Sequence, residues 1–460
     1  MFENRIKSLN VKPINKKGSK IVYWMQRSIR GEYNHALEYA IQMSNDLKKD
    51  LLVVFGLDIA YSEANERSFY FLLESLRDVK RILEEKRIKF VVLDSSPITK
   101  KLINLSEDTA CIITDRGYLK GLINMRNELA EKIEIRLIQV ESDVVVPIEI
   151  ASNKEEYSAR TIRGKIHKLW DYYINKKFMN TNYEGTFLKD EKSDFNLENI
   201  DKIIDGLDID KTVKKTSFSQ GGETKANELL DLFISKKLDG YYEYKNFPEL
   251  DYQSDLSPYL HFGNISPLLI IQKVLKSGKS TESIDGFIEE LVIRRELAIN
   301  FVYYNKGYDK FENMTYSWAY DTMKAHESDK REYVYSIAEL EQAKTHDIYW
   351  NTAQNEMTIT GKMHGYMRMY WAKKIIEWSL DYKEAYETIK YLNNKYFLDG
   401  RDENGYAGIA WCFGKHDRAW FQREIFGKLR YMNSNGLKSK FNIEEYVRKI
   451  KDLEWNKEEK

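Results

Sequence analysis

The chain contains little cysteine, no long apolar run and no excess of charge of either sign. Cys111 and Cys412 are the only cysteines among 460 residues, which excludes a disulfide framework and most metal sites built from cysteine. No stretch approaches the roughly 18 consecutive apolar residues of a transmembrane helix. The first twenty residues are polar and basic, and they lack the apolar stretch of a signal peptide. We therefore expect a cytoplasmic globular protein of two or three domains, with no membrane partner.

The signatures of the common hydrolases are missing as well. No GxSxG, HExxH or GxxxxGKS/T motif occurs, and the seven histidines are scattered, so a hydrolytic or metal site has little support. We expect no metal, and we expect the chemistry to depend on a bound cofactor. The 72 Lys and Arg residues balance 72 Asp and Glu residues. Because nucleic-acid-binding proteins usually carry a basic excess, this balance argues at first against a nucleic-acid partner.

Residues 20–147 alternate short apolar runs with stretches of helical periodicity. The runs are rich in Val and Ile, as expected of strands that are buried on both faces. They cover residues 20–25, 51–57, 90–94, 110–115 and 135–146. This alternation predicts a doubly wound parallel sheet of about five strands, and a basic N-terminal arm over residues 1–19 precedes it.

The carboxyl ends of these predicted strands carry polar residues. Open parallel sheets bind ligands at that edge. The residues there are Gln26, Arg27, Asp58, Asp115 and Arg116. Ordinary polar loop residues explain them equally well, and no GxGxxG follows the first strand, so the dinucleotide fingerprint is absent.

The rest of the chain divides into two parts of different character. Residues 148–222 are polar and lysine-rich, which predicts a long connector with one or two helices. Residues 223–460 show helical periodicity and no strand pattern, which predicts an all-helical domain. We expect long helices over residues 224–237, 283–304, 363–380 and 383–395.

Tryptophan is concentrated in the predicted helical domain, with six of the nine between residues 318 and 420. Trp371 and Trp378 are seven residues apart, so two helical turns place both indoles on one face, about 10 Å apart along the axis. Tryptophans on such a stripe usually belong to a core, and spacing alone favours that interpretation. The alternative is a chain of oxidisable indoles that leads outward from a buried cofactor.

Residues 398–440 combine a glycine-rich stretch with a basic one. The first part places acidic and amide groups among glycines, which suits a close backbone approach to a ligand. From Trp411 to Lys440 there are seven basic and two acidic side chains, a net charge of +5, with Trp420 among them. Basic residues interleaved with aromatics suit phosphate contacts and base stacking, although a solvated helix face is an equal alternative.

Two further segments carry polar groups in unusual places. Ser254, Asp255 and Ser257 stand just before Pro258, where the N–H groups of a helix start can hold a phosphate or where a plain helix cap forms. The apolar stretch 289–304 carries several charged residues, four of which stand out. These are Glu290, Arg294, Arg295 and Glu296. Charges on so apolar a helix are costly unless they are paired or face a ligand.

Seven segments, in order over some 400 residues, resemble the class II cyclobutane pyrimidine dimer photolyases of the photolyase/cryptochrome superfamily. They cover residues 23–37, 157–166, 256–266, 289–305, 344–351, 361–378 and 399–411. The resemblance implies a carbon–carbon lyase that repairs pyrimidine dimers in UV-damaged DNA, acting as a monomer. The electron for repair would come from excited, fully reduced FAD, held in a U shape inside the helical domain.

The resemblance also assigns positions around the cofactor. The residues implied in FAD binding are Tyr241, Ser254, Asp255, Leu256, Ser257, Arg295, Asn300, Asn393 and Asp399. Asn393 would face the redox-active ring nitrogen, with Asn404 as the alternative, and Arg295 and Asn300 fall on the helix that lines the pocket. Trp371, Trp350 and Trp378, in that order outward, would carry electrons that reduce the resting flavin. Because of this resemblance, we favour an electron path over a purely structural core as the role of the tryptophan stripe.

The resemblance assigns the lesion and the DNA to other residues. Glu290 would hydrogen-bond the damaged bases, while Met369 and Trp411 would pack against them. The implied DNA contacts are Lys245, Asn246, Arg294, Arg418, Trp420 and Arg430. Side chains of the stretch 418–420 would enter the space that the lesion leaves. Lys245 stands where some relatives carry Arg, and Arg294 where at least some archaeal relatives have Trp, which weakens the assignments at these two positions.

Three questions remain open at this level. The sheet domain of relatives can hold an antenna chromophore, often a deazaflavin, and no residue pattern here predicts one. A cryptochrome-like photoreceptor without repair activity is the main alternative function, and the presence of Glu290, Met369 and Trp411 argues against it. A light-independent flavoprotein or nucleotide-binding module is the third possibility.

Overall fold

A six-stranded sheet forms the N-terminal part of the protein, for which we use a computed structural model that describes residues 3–61, 63–94, 97–176 and 178–458. The strands are β1 (Ile6–Ser8), β2 (Lys20–Met25), β3 (Asp50–Leu57), β4 (Lys89–Asp94), β5 (Thr109–Asp115) and β6 (Arg136–Val140). Their order across the sheet is β1-β6-β5-β2-β3-β4. The strands β2 to β6 are parallel, and β1 pairs antiparallel with β6.

Helices cover both faces of the sheet, which confirms the doubly wound fold. They are α1 (His35–Leu47), α2 (Glu66–Glu85), α3 (Ile98–Ser106) and α4 (Lys120–Lys132). Successive residues of β2 belong to different cores. Ile21 and Tyr23 pack on the face that α1 and α2 cover, whereas Val22 and Trp24 pack on the face of α3 and α4. This burial on both faces explains the near-continuous apolar runs of the sequence.

The sheet has one strand more than the five that the sequence predicts. The additional strand, β1, lies inside the predicted N-terminal arm and is only three residues long, with half-exposed side chains. A 3₁₀ turn, Glu3–Arg5, precedes it, and the guanidinium of Arg5 donates to the carbonyl oxygens of Glu141 and Val144 at 3.1 and 3.0 Å. These contacts hold the arm on the sheet. The run predicted over residues 135–146 is a strand only to Val140.

The regular secondary-structure elements of the connector and the C-terminal domain are all helices in the part of the chain that the structure describes. The connector contains α5 (Ile148–Ala151), α6 (Ala159–Ile174) and α7 (Ile200–Gly206). The first half of the helical domain contains α8 (Glu223–Lys236), α9 (Tyr241–Tyr244), α10 (Ser257–His261), α11 (Pro267–Leu275), α12 (Thr281–Ile288), α13 (Arg295–Tyr304) and α14 (Ser317–Ala325). The second half contains α15 (Ile337–Glu341), α16 (Ile348–Thr360), α17 (Gly365–Trp378), α18 (Tyr382–Tyr396), α19 (Glu403–Cys412), α20 (Ser434–Lys440) and α21 (Ile443–Glu458). Within these described ranges, no helix combines the length and the apolar character needed to cross a membrane.

The helix predicted over residues 283–304 is continuous but not uniform. Between α12 and α13, the segment Glu289–Arg294 is π-helical. A π-helical turn has a wider hydrogen-bonding pattern than an α-helix and frequently occurs at functional sites. This segment carries Glu290 and Arg294, two of the residues that the resemblance assigns to the lesion and the DNA.

A buried ion pair joins the sheet domain to the helical domain. Arg27, which follows β2, forms an ion pair with Glu403 in the first turn of α19. The backbone N–H groups of Gln26 and Arg27 donate to the buried carboxylate of Asp115 at 2.7 and 3.0 Å. Thus Asp115, at the end of β5, fixes the loop that presents Arg27 to α19. The polar carboxyl end of β5 therefore helps to hold the two domains together.

Candidate functional site

One face of α19, a helix of the C-terminal domain that packs against α17, is exposed to solvent, and we call the space beside this face the opening. A Cβ atom built on Gly365 or on Gly408 would have no neighbouring atom within 4 Å. Asn404, one turn before Gly408, is exposed, although α19 packs against α13, α17 and α18. The Asp402 side chain caps α19 by accepting the N–H of Gly405 at 2.7 Å. This face of a central helix is therefore free to contact a ligand.

Arg368 and Asp399 form an ion pair near this opening, with 3.0 Å between Nη2 and Oδ1. The Arg368 guanidinium also lies 3.7 Å from the centroid of the Phe397 ring. Its Nε is buried and has no hydrogen-bond partner among the described residues. A buried N–H without a partner is costly, so a ligand acceptor at this position would be favourable. The sequence analysis did not identify Arg368 as a site residue.

The two candidate asparagines differ in exposure. Asn393, near the end of α18, is buried and donates to the Oδ1 of Asn394 at 2.9 Å. A Cβ on Gly405 would lie 3.2 Å from the Asn393 Nδ2, so a larger residue at this position would press on the amide. Asn404 is exposed and lies 3.5 Å from Asp402. The two amides therefore stand close to the same helix start, and their assignment relative to a flavin stays a prediction.

Two lysines converge on the loop that precedes α10. Lys237 donates to Asp255 at 3.4 Å, and Lys362 forms a second ion pair with the same carboxylate. Burial opposes the charge of Lys362, but Asp255 outweighs that effect and raises the pKa of the lysine. Ser254 is half-buried and Ser257 exposed at the start of α10. In the same loop, the side chain of Leu256 is buried in the core. Hydroxyls beside two ammonium groups suit a phosphate-containing ligand.

Glu290 is already paired in the protein alone. Its Oε1 lies 2.9 Å from the Nζ of Lys245, and this ammonium also lies 5.5 Å from the ring centroid of Tyr241. Tyr241 is buried, and this burial, with Glu290 nearby, raises the pKa of its phenol. The structure thus brings together three residues that the resemblance assigns to different ligands: the cofactor, the lesion and the DNA.

The remaining predicted residues on this side differ in their surroundings. Asn246 is exposed beside Lys245, and Arg294 is exposed and paired with Glu289 at 3.1 Å. Arg295 and Asn300 are buried, and both form hydrogen bonds with residues outside the helical domain. Arg295 donates to the Asp143 carbonyl at 2.6 Å. Asn300 accepts the N–H of residue 156 and donates to the carbonyl of residue 154. These two side chains hold α13 against the sheet domain and connector, and neither is exposed to the opening.

Three indoles form a continuous buried contact chain. Trp371 and Trp350 are stacked with their ring centroids 6.4 Å apart, and Trp350 meets Trp378 edge-on at 5.6 Å. The Nε1 of Trp350 donates to the carbonyl of Trp371 at 3.0 Å, and the Nε1 of Trp371 donates to Gln354 at 2.8 Å. Trp350 therefore bridges the two indoles that α17 presents. The sequence did not identify Gln354 as a partner.

The outer end of this chain is covered. Trp378 is only 2% exposed, because Tyr335 and His346 pack edge-on against it at 5.3 and 5.4 Å. Lys374 lies 5.4 Å from its ring centroid. Trp378, His346 and Lys374 line a surface pocket of about 520 Å³. The inner end, Trp371, lies one helical turn from Arg368, so the chain connects the edge of the opening with the surface.

Four aromatic and cationic side chains lie one against another beside the opening, and we call them the column: Trp411, Arg430, Trp420 and Arg418. The Arg430 guanidinium lies between Trp411, at 5.0 Å, and Trp420, at 4.3 Å, and Arg418 covers Trp420 at 4.7 Å. Asp417 accepts from the Nε of Arg430 at 3.1 Å and from the indole N–H of Trp420 at 3.3 Å.

Two side chains of the opening belong to helices beside this column. Met369, on α17, is half-buried, as is Trp411 at the end of α19. Below Trp411, the buried Lys373 donates to the Cys412 carbonyl, and burial lowers the pKa of this lysine to about 8. The lysine thus fastens the C-terminal end of α19, which carries Trp411.

A separate cavity of about 440 Å³ lies between the sheet and the helical domain. It is lined at the carboxyl ends of the strands by Arg27, Gly56 and Asp58, and on the other side by His261 and Tyr406. Of the polar residues predicted at the strand ends, Asp115 thus helps to join the two domains, whereas Arg27 and Asp58 line this cavity. Most of its lining is apolar and aromatic, which suits a flat organic ligand.

Comparison with known proteins identifies the family. The DNA photolyase family model matches residues 21–178. The deoxyribodipyrimidine photo-lyase of Methanothermobacter thermautotrophicus is 47% identical over 98% of both chains. That of Potorous tridactylus is 39% identical over 93% of this chain and 81% of its own, and that of Arabidopsis thaliana is 38% identical over 96% and 90%.

Solved structures of similar fold are more distant in sequence. A bacterial class III photolyase from Agrobacterium tumefaciens superposes with a TM-score of 0.74 at 19% identity, covering 94% of this chain and 86% of its own. An archaeal photolyase from Sulfolobus tokodaii, solved with two FAD molecules, gives 0.69 at 16% identity, covering 94% and 89%. These likenesses confirm the fold, and the identity to the curated relatives shows that the chain belongs to the deoxyribodipyrimidine photo-lyase family.

Proposed function

We propose that this protein repairs cyclobutane pyrimidine dimers in DNA under light, as a class II photolyase with FAD in the helical domain. The observation that carries the proposal is the buried indole chain, which begins one helical turn from Arg368 at the opening and ends at the surface pocket by Trp378. The ordered motifs of the class II family support the class, and the names of the curated relatives support the reaction.

The residues around the opening fit a flavin dinucleotide. The unpartnered Nε of Arg368 and the open space beside Gly408 provide a polar contact and room for a planar group. Ser254, Asp255 and Ser257, with Leu256 packed beneath them and Lys237 and Lys362 alongside, would hold the phosphate part. These loop residues bind and orient the dinucleotide. When bound and reduced, FAD would supply the electron that splits the cyclobutane ring after light absorption.

The other assigned residues would orient the flavin ring. Asp399, with Arg368, would contact the isoalloxazine end, and Asn393 would present its amide to the ring nitrogen. Tyr241 closes the pocket from α9. Arg295 and Asn300 act indirectly, because their hydrogen bonds set the position of α13. In this arrangement no side chain needs to act as a nucleophile, and the protein contributes positioning and electrostatics.

Trp371, Trp350 and Trp378 form the route by which electrons reach the opening from solvent. The ring centroids of successive indoles lie 6.4 and 5.6 Å apart. The hydrogen bond from Trp371 to Gln354 fixes the inner indole in place. Oxidisable side chains in such contact suit stepwise electron transfer to the site, which would restore its reduced state.

Three residues would recognise the lesion. The dimer must leave the duplex to reach the opening. Unstacking costs a free energy of about a few kcal/mol, and this cost is smallest for a damaged pair. Glu290 then hydrogen-bonds the damaged bases after exchanging its ion pair with Lys245. Met369 and Trp411 pack against the dimer, and Lys373 fixes Trp411 from below through the end of α19.

The DNA contacts would surround the opening on both sides. Lys245, Asn246 and Arg294 are on the side of α9 and the π-helical segment, and Arg418, Trp420 and Arg430 are on the side of the column. This local basic surface explains how a chain with zero net charge binds a polyanion. Its affinity should fall with salt in proportion to the number of phosphates contacted.

The cavity of about 440 Å³ would hold an antenna chromophore, such as a deazaflavin. Its position at the carboxyl ends of the strands is the usual ligand position of open parallel sheets. A Cβ on Gly56 would lie 2.7 Å from Ile98, so the cavity wall requires glycine at this strand position.

Survival of irradiated cells tests the repair function. A bacterial strain without its own photolyase, expressing this protein, should survive UV light better after blue light than in darkness. Glu290→Ala and Trp411→Ala should remove that difference, while a change far from the opening, Leu380→Ala, should keep it. Equal survival in light and darkness, with FAD bound to the purified protein, would favour the photoreceptor alternative.

A further inference from the structure

The connector helix α6 presents an exposed basic face that none of the assigned contacts uses. From Ser158 to Trp170 the chain carries four basic side chains, one histidine and no acid, so this stretch has a net charge of +4 in a chain whose total is zero. The next acid along the helix is Asp171. On the opposite face, Ile162 and Ile166 are buried in the core. The exposed face is therefore a cationic patch on a firmly packed helix.

The four basic side chains of α6 differ in their partners. Arg163 and Lys165 each form an ion pair with a glutamate of the chain. Arg160 and Lys168 are exposed, and neither side chain has an ion pair or a hydrogen bond with any residue that the structure describes. Eight residues separate these two, which is about 12 Å along a helix axis. Two unpaired cations at this separation can contact two different phosphates of one nucleic acid.

A glycine, Gly164, lies halfway between Arg160 and Lys168, in the interior of α6. Glycine destabilises a helix interior relative to alanine, so its presence there needs a reason. The fold of the protein gives none, since Gly164 has no positive φ angle and a Cβ atom built on it would have no neighbouring atom within 4 Å. What glycine does provide at this position is close access for the backbone of another molecule, between the two unpaired cations.

The basic face of α6 adjoins the proposed DNA contacts at two points. Glu289 accepts from Arg163 at 3.0 and 2.7 Å and from Arg294 at 3.1 Å, which links α6 to the π-helical segment. Directly before α6, the carbonyl oxygen of Tyr157 lies 2.8 Å from the Nδ1 of His416, in the loop that carries most of the column. The patch is therefore continuous with the surface around the opening, and a duplex bound there can extend over it.

We propose that the exposed face of α6 binds the phosphate backbone of the duplex beyond the lesion, with Arg160 and Lys168 each contacting a phosphate on either side of Gly164. The inference rests on the proposed function, and it extends the DNA-binding surface beyond the residues around the opening. Phosphate contacts position a duplex without reading its sequence. The contribution of α6 is therefore the same for damaged and undamaged DNA of equal length.

The salt dependence of binding measures these contacts. The FAD-loaded full chain is titrated at several salt concentrations with a long duplex that contains one thymine dimer, with an undamaged duplex of the same length, and with a dimer-containing single strand too short to extend past the opening. Arg160→Gln and Lys168→Gln should each reduce the slope of log Kd against log salt by about 0.9 on both duplexes, and the double variant by about 1.8. Neither substitution should change the slope on the short strand. As a control, Lys202→Gln changes an exposed lysine on α7 that has no ion pair among the described residues, and it should leave every slope unchanged.

A second variant, Gly164→Leu, tests the close approach without removing a charge. Leucine has room on this face in the free protein, so the variant should unfold at no lower temperature than the wild type. Its side chain holds the duplex away from both cations, so the slope on long duplexes should fall as in the double variant. Gly206→Leu, at an equally open glycine at the end of α7, should bind like the wild type.

The outcomes separate this inference from the proposed function. A wild-type slope on long duplexes in Arg160→Gln/Lys168→Gln or in Gly164→Leu would overturn the inference, and so would an equal loss of slope on the short strand. If the wild-type protein does not distinguish dimer-containing from undamaged duplex, the proposed function fails instead. The contribution of α6 would still be measurable then, because it is also present on undamaged duplex.

Discussion

The ion pair between Arg27 and Glu403 should be essential for joining the two domains. Both side chains are buried, with 7% and 0% exposure, and the Nε of Arg27 and the Oε2 of Glu403 have no other hydrogen-bond partner among the described residues. Burial opposes the charge of Arg27, but Glu403 and two further carboxylates outweigh it and raise the pKa of the guanidinium. We predict that Arg27→Gln destabilises the protein strongly.

The magnitude follows from the unpaired carboxylate that the substitution leaves. Removing one partner of a buried ion pair costs about 3–5 kcal/mol. Asp402, beside Glu403, makes the loss larger, because burial and the charge of Glu403 already raise the pKa of Asp402 to about 7. An unfolding entropy of about 2.1 cal/mol/K per residue over the whole chain corresponds to about 1 kcal/mol/K, so Tm should fall by about 3–5 °C.

Thermal unfolding followed by circular dichroism measures this effect. Arg81→Gln is a matched control, because Arg81 forms its ion pairs with Asp78 and Glu85 at the exposed surface, where such pairs contribute at most about 1 kcal/mol. The double variant Arg27→Gln/Glu403→Gln should recover part of the stability. An Arg27→Gln protein as stable as Arg81→Gln would refute this account of the domain joint.

Three other predictions address the electron route, the DNA contact and a buried carboxyl. Trp371→Phe should abolish photoreduction of oxidised flavin, measured by absorption under blue light, yet spare repair by prereduced enzyme, while Trp318→Phe should change neither. Arg430→Ala should weaken DNA binding and reduce its salt slope by about one, whereas Arg448→Ala on α21 should not; an unchanged slope would contradict a phosphate contact. Burial raises the pKa of Glu223 to about 8, so its carboxyl holds a proton in the folded state that the unfolded state has lost. The stability that Glu223 contributes relative to Glu223→Gln should thus fall as pH rises from about 5 to 8, and a pH-independent difference in Tm would disprove it.

The sequence predicts the sheet and its two helical layers because strands buried on both faces are nearly continuous apolar runs. It does not predict β1, since a three-residue edge strand with half-exposed side chains has no such pattern. The apolar periodicity predicts the helix over residues 283–304. It does not predict the π-helical segment, because the wider hydrogen-bonding pattern there changes the periodicity too little to be recognised.

The face of a helix on which a side chain lies is predictable from the sequence, and its contacts with other helices are less so. Spacing on α17 places Trp371 and Trp378 on one face, but only the packing of α16 against α17 inserts Trp350 between them. Arg295 lies on the helix expected to line the pocket, yet its guanidinium is used by the Asp143 carbonyl. Periodicity predicts which residues share one face of a helix, but it does not predict which side chains they contact on neighbouring elements.

Repair of a single defined dimer tests the central claim most directly. The FAD-loaded, fully reduced protein is mixed under anaerobic conditions with an oligonucleotide containing one thymine dimer, then exposed to near-UV or blue light, and the DNA is analysed by chromatography. The account predicts that the dimer is converted to two thymines in the light and stays intact in the dark. Persistence of the dimer after illumination, with FAD bound and reduced, would contradict it.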